Sequence, residues 1–191
     1  SRSMALRMMR THPFPGLFKE VVLEALEDSD RYVRGAALDF AYAHDLPLNL
    51  LEPIVRSLYA SISPDKRKTA LEWALNSRSP VANEILLDAL RTSEDIKTLS
   101  LIIQHELPGA MDVLIERTDS KSGDVQHLAY KLVAGAAWLT EDTRRTFFEK
   151  GITDENCGVR IQAFVLIGGA GFYDETEANS FVRSVFACWE P

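Results

Sequence analysis

Apolar positions recur at helical spacing from early in the chain. Phe18, Val21, Val22 and Ala25 fall at i, i+3, i+4 and i+7, one face of a 3.6-residue period. This spacing predicts a helix from about Leu17 to Leu26. Glu27-Asp28-Ser29-Asp30 reads as a turn, in which Ser29 or Asp30 can cap the next helix. That helix runs from about Arg31 to His44, and Val33, Ala36, Ala37, Phe40 and Ala41 form its apolar stripe. The two-helix unit then repeats. Pro47 opens a helix to about Ala60, and Ser63-Pro64-Asp65 starts one to about Asn76, with proline at an early position where its missing N–H costs nothing. Pro80 opens a helix to about Leu90, and Ser93-Glu94-Asp95 caps a partner running to about Glu106. Pro108 opens a helix ending near Arg117. Beyond the linker Thr118 to Asp124 another runs to about Leu139. Thr140-Glu141-Asp142 caps the fifth unit, whose second helix spans about Cys157 to Gly168. A last helix, about Glu175 to Cys188, has no partner. No segment sustains period-2 alternation, so no strand is predicted.

A short pattern marks each second helix: usually a basic residue, a small residue three places on, then a large apolar one. The copies are Val33 to Leu38, Lys66 to Leu71, Ile96 to Leu101, Val125 to Tyr130 and Val159 to Phe164. The small residues stand at Ala37, Ala70, Ser100, Ala129 and Ala163, in steps of 33, 30, 29 and 34. A second column reads Phe40, Trp73, Ile103, Leu132 and Leu166. Self-similarity at such a period signals a solenoid, in which each unit buries its apolar face against its neighbours. A small residue at a fixed position suits close approach between helices.

The combination of an acidic linker, Val-Arg, alanine and a large apolar residue resembles HEAT-repeat proteins. The best matches are Asp28 to Leu38 and Thr153 to Ala163; the second copy has Lys66-Arg67 in place of Val-Arg, and the fourth has Gln126 where the basic residue belongs. The resemblance implies an all-α, right-handed α-solenoid of about five antiparallel helical hairpins plus a terminal helix, with the second helices lining a concave face. It covers nearly the whole chain, residues 4–191, read as one domain. Ser1-Arg2-Ser3 ahead of Met4 reads as an expression scar and is set apart from the fold. The family implies function weakly, because its members are mostly adaptors, scaffolds and inhibitors. A minority are enzymes, including alkylpurine-DNA glycosylases built from similar hairpins.

The net charge of −7 disfavours nonspecific binding to phosphate backbones and docking on anionic membranes. No run approaches the roughly 18 apolar residues of a membrane span, and no apolar secretory leader precedes the first helix. Two cysteines, Cys157 and Cys188, do not make a disulfide framework. They are expected as free thiols in a reducing compartment, which makes the cytoplasm the default location. The incomplete last hairpin also admits a piece of a larger solenoid.

The basic row Arg34, Arg67, Lys97 and Arg160, with Gln126 in the remaining place, has two readings. One, implied by the resemblance, is a structural ladder onto Asp30, Asp65, Asp95, Asp124 and Asp154. The other is a positive stripe on the concave face, facing an acidic or phosphate-bearing partner. Lys66-Arg67-Lys68 and Arg144-Arg145 would reinforce the stripe or simply be solvated. Trp73 belongs to a core column, and Trp189 could anchor a partner. His12, His44, His105 and His127 lack metal-ligand spacing, and Gly168-Gly169-Ala170-Gly171 follows a predicted helix rather than a strand, so neither a metal nor a nucleotide cofactor is expected. The reading is a non-enzymatic module that binds a protein partner, with contacts at Arg34, Arg67, Lys97, Gln126 and Arg160. The alternative is a nucleic-acid-binding or DNA-repair enzyme of the glycosylase kind, which a basic concave face would favour.

Overall fold

The computed structural model describes residues 2–9, 19–168 and 175–186. All its regular elements are α-helices, and no strand occurs among the described residues. They are α1 (Arg2–Met9), α2 (Lys19–Leu26), α3 (Arg31–Ala43), α4 (Leu48–Ala60), α5 (Pro64–Asn76), α6 (Pro80–Thr92), α7 (Ile96–Ile102), α8 (Ala110–Thr118), α9 (Gly123–Gly135), α10 (Glu141–Ile152), α11 (Cys157–Gly168) and α12 (Glu175–Phe186). The chain divides into two compact units, Ser1–Leu86 and Leu87–Pro191.

In the first unit α2 packs on α3 and α4 on α5, as the predicted hairpins require. Consecutive hairpins then stack first helix on first, α2 with α4, and second on second, α3 with α5. α1, which the apolar pattern does not announce, packs against α3 and takes in Arg2 and Ser3. In the second unit α8 packs on α9 and α10 on α11, while α9 lies between α7 and α11. α12 packs on α11.

Both sequence columns lie mostly in the cores. Phe40, Trp73, Ile103 and Leu132 are buried, as are Ala37, Ala70, Ala129 and Ala163. Ser100 and Leu166 are only half-buried. Trp73, with no exposed surface, is the largest fully buried side chain. Truncation of such a residue typically costs about 3–5 kcal/mol, because the transfer free energy and the cavity add.

The turns cap the helices much as their residue types suggest. Asp30 Oδ1 accepts from Tyr32 N at 2.8 Å, Asp95 Oδ1 from Lys97 N at 3.2 Å, and Thr140 Oγ1 from Thr143 N at 3.2 Å. Asp95 also accepts from the Thr98 hydroxyl at 2.6 Å, and this bond, followed by the Lys97 amide, holds its carboxyl below the usual carboxylate range. Two helices stop earlier than the apolar spacing indicates. α7 ends at Ile102 where about Glu106 was expected, and α9 at Gly135 where about Leu139 was expected. The two early endings meet. The backbone extends at Ala136, and Trp138 Nε1 donates to the carbonyl of Ile103 at 2.8 Å. A carbonyl left without a helical partner at the end of α7 is thereby satisfied by a side chain just beyond α9.

Cys157 is disulfide-bonded, and no free cysteine occurs among the described residues. This corrects the free-thiol expectation. Pairing depends on two Cα atoms coming within about 4.4–6.8 Å, a distance that sequence separation does not reveal. Cys188 and Trp189 lie outside the described residues, as do His12 and Gly169 to Gly171.

Candidate functional site

The five positions proposed from sequence range from buried to exposed. Arg34 is 1 % exposed and its guanidinium is turned into the fold. Nη1 donates to the carbonyls of Asp28 and Ser29 at 2.8 and 2.9 Å, and Nε donates to Thr69 Oγ1 at 3.2 Å. Arg34 therefore ties the end of α2 to its own second helix and α3 to α5. Gln126 does the equivalent in the second unit. Its Nε2 donates to the carbonyl of Thr118 at 3.1 Å and to Asp154 Oδ2 at 3.0 Å. Both side chains are buried in these roles. Arg160 is half-buried, and its Nη2 donates to Cys157 Sγ at 2.9 Å. Arg67 and Lys97 are exposed. The expected ladder onto linker carboxylates occurs at Gln126–Asp154; at Arg34 the acceptors are carbonyls and a hydroxyl.

Arg117, which the sequence did not single out, is a third buried donor. Its Nη1 donates to the carbonyls of Leu90, Arg91 and Ser93 at 2.8, 2.8 and 3.2 Å, closing the C-terminal end of α6 onto α8. Burial without a bonded carboxylate lowers its pKa, although the charge of Glu94 opposes the shift.

The first unit carries an open groove between α3 and α5, with a volume of about 320 Å³. Arg31, Tyr32, Gly35, Ala36 and Asp39 line it from α3, and Asp65, Lys68, Thr69 and Glu72 from α5. From Tyr32 and from Asp65 the lining positions fall at i, i+3, i+4 and i+7, so each helix presents one face, with Arg31 beside Tyr32. Gly35, Ala36 and Thr69 keep the middle of the groove low. A Cβ added at Gly35 would meet nothing within 4 Å. Tyr32 stands 59 % exposed, with the Arg31 guanidinium 4.8 Å from its ring centre and donating to its hydroxyl at 3.0 Å. That bond raises the Arg31 pKa.

Arg34 bonds Thr69 across the two helices. Asp39 and Glu72 stand 33 residues apart, the step that separates Ala37 from Ala70 in the repeat. Aligning the polar positions of the repeat, rather than only its basic row, would have revealed this pair.

The second unit has a different depression, between α8 and α10. Met111, Ile115 and Phe147 make it mostly apolar, with Asp142, Thr143, Thr146 and Lys150 at its edges. Lys150 is paired with Asp119 there. No group of His, Cys, Asp and Glu side chains suited to a metal ion occurs among the described residues. No helix of the described chain is long and apolar enough to cross a membrane. No family model matches the chain, and neither a curated protein nor a solved structure is found to match it.

Proposed function

We propose that the chain is a non-enzymatic protein-interaction module of HEAT-like hairpins and that its partner lies in the groove between α3 and α5. The observation that carries this reading is the groove itself: two successive second helices present equivalent polar faces around a low floor, with an exposed tyrosine at one end. The helices beneath it are fixed by Arg34 bridging α3 and α5, so a partner would meet a pre-organised surface and bind with little ordering cost. Arg67 and Lys97 remain exposed candidates for peripheral contacts. The exposed carboxylates Asp39, Asp65 and Glu72 oppose a phosphate backbone in this groove, which weighs against the nucleic-acid reading. The disulfide at Cys157 weighs against the cytoplasmic location that free thiols would have supported, because disulfides persist in oxidising compartments.

Site-specific photo-cross-linking tests the reading. A benzophenone side chain at Lys68 is expected to give a discrete protein adduct in native lysate. Gly35→Trp, at a position where an added Cβ meets nothing within 4 Å, is expected to abolish that adduct while the helical spectrum is retained. An adduct that persists with Gly35→Trp, or none in the parent, would exclude the groove.

A further inference from the structure

Cys157 is the first residue of α11, and its sulfur belongs to a disulfide. The chain holds one other cysteine, Cys188, so no other residue of the chain can supply the second sulfur. Asn156 caps the helix. Its Oδ1 accepts from Gly158 N at 2.9 Å, and its carbonyl accepts from Arg160 N at 3.1 Å. Cys157 therefore stands at the positive end of a helix of 12 residues. Arg160, one turn on, brings Nη2 to 2.9 Å from the same sulfur. A neutral sulfur is a weak acceptor, whereas a thiolate is a charged one, and a guanidinium bonds a charged acceptor about twice as strongly. Both the cation and the helix end thus favour Cys157 as a released thiolate over Cys157 in a disulfide. Two carboxylates precede it in the turn and oppose that charge. Asp154 is engaged, accepting from Gln126 Nε2 at Oδ2 and from Asn156 N at Oδ1, while Glu155 is exposed. Cys157 itself is half-buried between exposed Asn156 and Gly158, at the surface rather than in the core.

We propose that this disulfide is a thiol-exchange site, opened in the folded chain by a thiol reductant with Cys157 as the leaving group and Arg160 as the residue that receives its charge. The inference goes beyond the protein-binding reading and does not depend on it. An incoming thiolate attacks the second sulfur and forms a new S–S bond there. The electron pair of the original bond leaves on Cys157 Sγ, beside the Arg160 guanidinium. A second thiolate then attacks the mixed disulfide. Two thiols are thereby oxidised to one disulfide, the protein's disulfide is reduced to two thiols, and the protons of the incoming thiols pass to solvent or to the released sulfurs. The sulfur with the more stable thiolate leaves faster, which directs the first attack away from Cys157. Cys188 stands two positions after the end of α12 at Phe186, so exchange removes the covalent closure of the segment that contains α11 and α12.

The probe is 2-mercaptoethanol, a neutral monothiol that the net charge of −7 does not repel, added to the oxidised full chain at pH 7 without denaturant. Samples are trapped at successive times with N-ethylmaleimide and read by intact and peptide mass. The bond is expected to open while the helical spectrum is retained. The earliest product should carry the mercaptoethanol on Cys188 and the maleimide on Cys157. Arg160→Gln removes the cation and is expected to slow opening about three- to tenfold, while Arg160→Lys keeps most of the parent's rate. A bond that opens only in urea, a first adduct on Cys157, or an unchanged rate in Arg160→Gln would each overturn the proposal. The adduct position is read on the parent chain, so the proposal stays testable even if a variant fails to fold.

Discussion

Arg34 and Gln126 occupy the same column of the repeat, one in each unit, and make the same joint with different chemistry. Each reaches back to a carbonyl at the end of its own hairpin's first helix and forward to the next hairpin. Arg34 does this as a buried cation that donates to carbonyls and a hydroxyl. Gln126 does it as a neutral amide with one carboxylate acceptor. What the position demands is a long side chain with at least two N–H donors, and charge is secondary. The basic row read along the sequence is thus partly a row of donors. Of the members that do not form this joint, Arg67 and Lys97 stay at the surface and Arg160 is half-buried against Cys157.

The largest expected effect tests the charged joint. Arg34→Ala removes three hydrogen bonds made by a buried cation and opens a cavity at the α3–α5 contact, so a loss of about 3–5 kcal/mol is expected by chemical denaturation. Arg34→Gln separates donor from charge. If the donor is what matters, it recovers most of that stability; if it is as damaging as Arg34→Ala, the equivalence of the two joints is broken.

Next in size is Gly151, where α10 comes close to Tyr130 of α9 and Ala163 of α11. A Cβ there would stand 2.7 Å from Ala163 Cβ and 2.8 Å from Tyr130 Cζ. Gly151→Ala is expected to destabilise by about 1–3 kcal/mol through overpacking. A melting temperature equal to the parent's would show that α10 can move away from Tyr130 without loss.

The neutral joint is expected to be cheaper to lose than the charged one. Gln126→Ala should cost about 1–3 kcal/mol, as two hydrogen bonds go and the Thr118 carbonyl is left without the amide donor. A cost above that of Arg34→Ala would reverse the comparison.

The smallest effect at neutral pH is at Tyr130, close to the Gln126 joint. Its hydroxyl is buried without a hydrogen-bond partner among the described residues. Burial, followed by the charges of Asp154 and Asp119, pushes its pKa up to about 12. A pKa raised in the folded state contributes stability that is complete below the unfolded value near 10 and is lost as pH rises through about 12. Tyr130→Phe removes the unpaired hydroxyl, so its stability at pH 7 is expected within about 1 kcal/mol of the parent or above it. Between pH 10 and about 12 the variant should lose less stability than the parent, measured by urea unfolding across that window. Parallel pH profiles would mean that this phenol contributes nothing to alkaline unfolding.

Much of the helical layout was legible in the apolar spacing and turn residues, because both act locally: a 3.6-residue stripe and a capping Asp or Thr need only their own neighbours. The core columns were legible too, because a stacked repeat buries the same position in each unit, as Ala37 and Ala70 or Phe40 and Trp73 illustrate. The early ends of α7 and α9 were not. They depend on Trp138 satisfying the Ile103 carbonyl from 35 residues away. The groove was legible only in part. Its helices could be drawn, but which of their residues line it together depends on how α3 packs on α5, where Arg34 bonds Thr69.

By itself, then, the sequence determined an all-helical chain of capped hairpins with repeating buried columns, since periodicity and capping are written within single elements. Only the tertiary structure decided that Arg34, Arg117 and Gln126 are internal donors, that Cys157 is paired, and that α3 and α5 enclose a groove. Burial and pairing are properties of surfaces meeting in space, and residues separated by a whole repeat carry no local mark of having met.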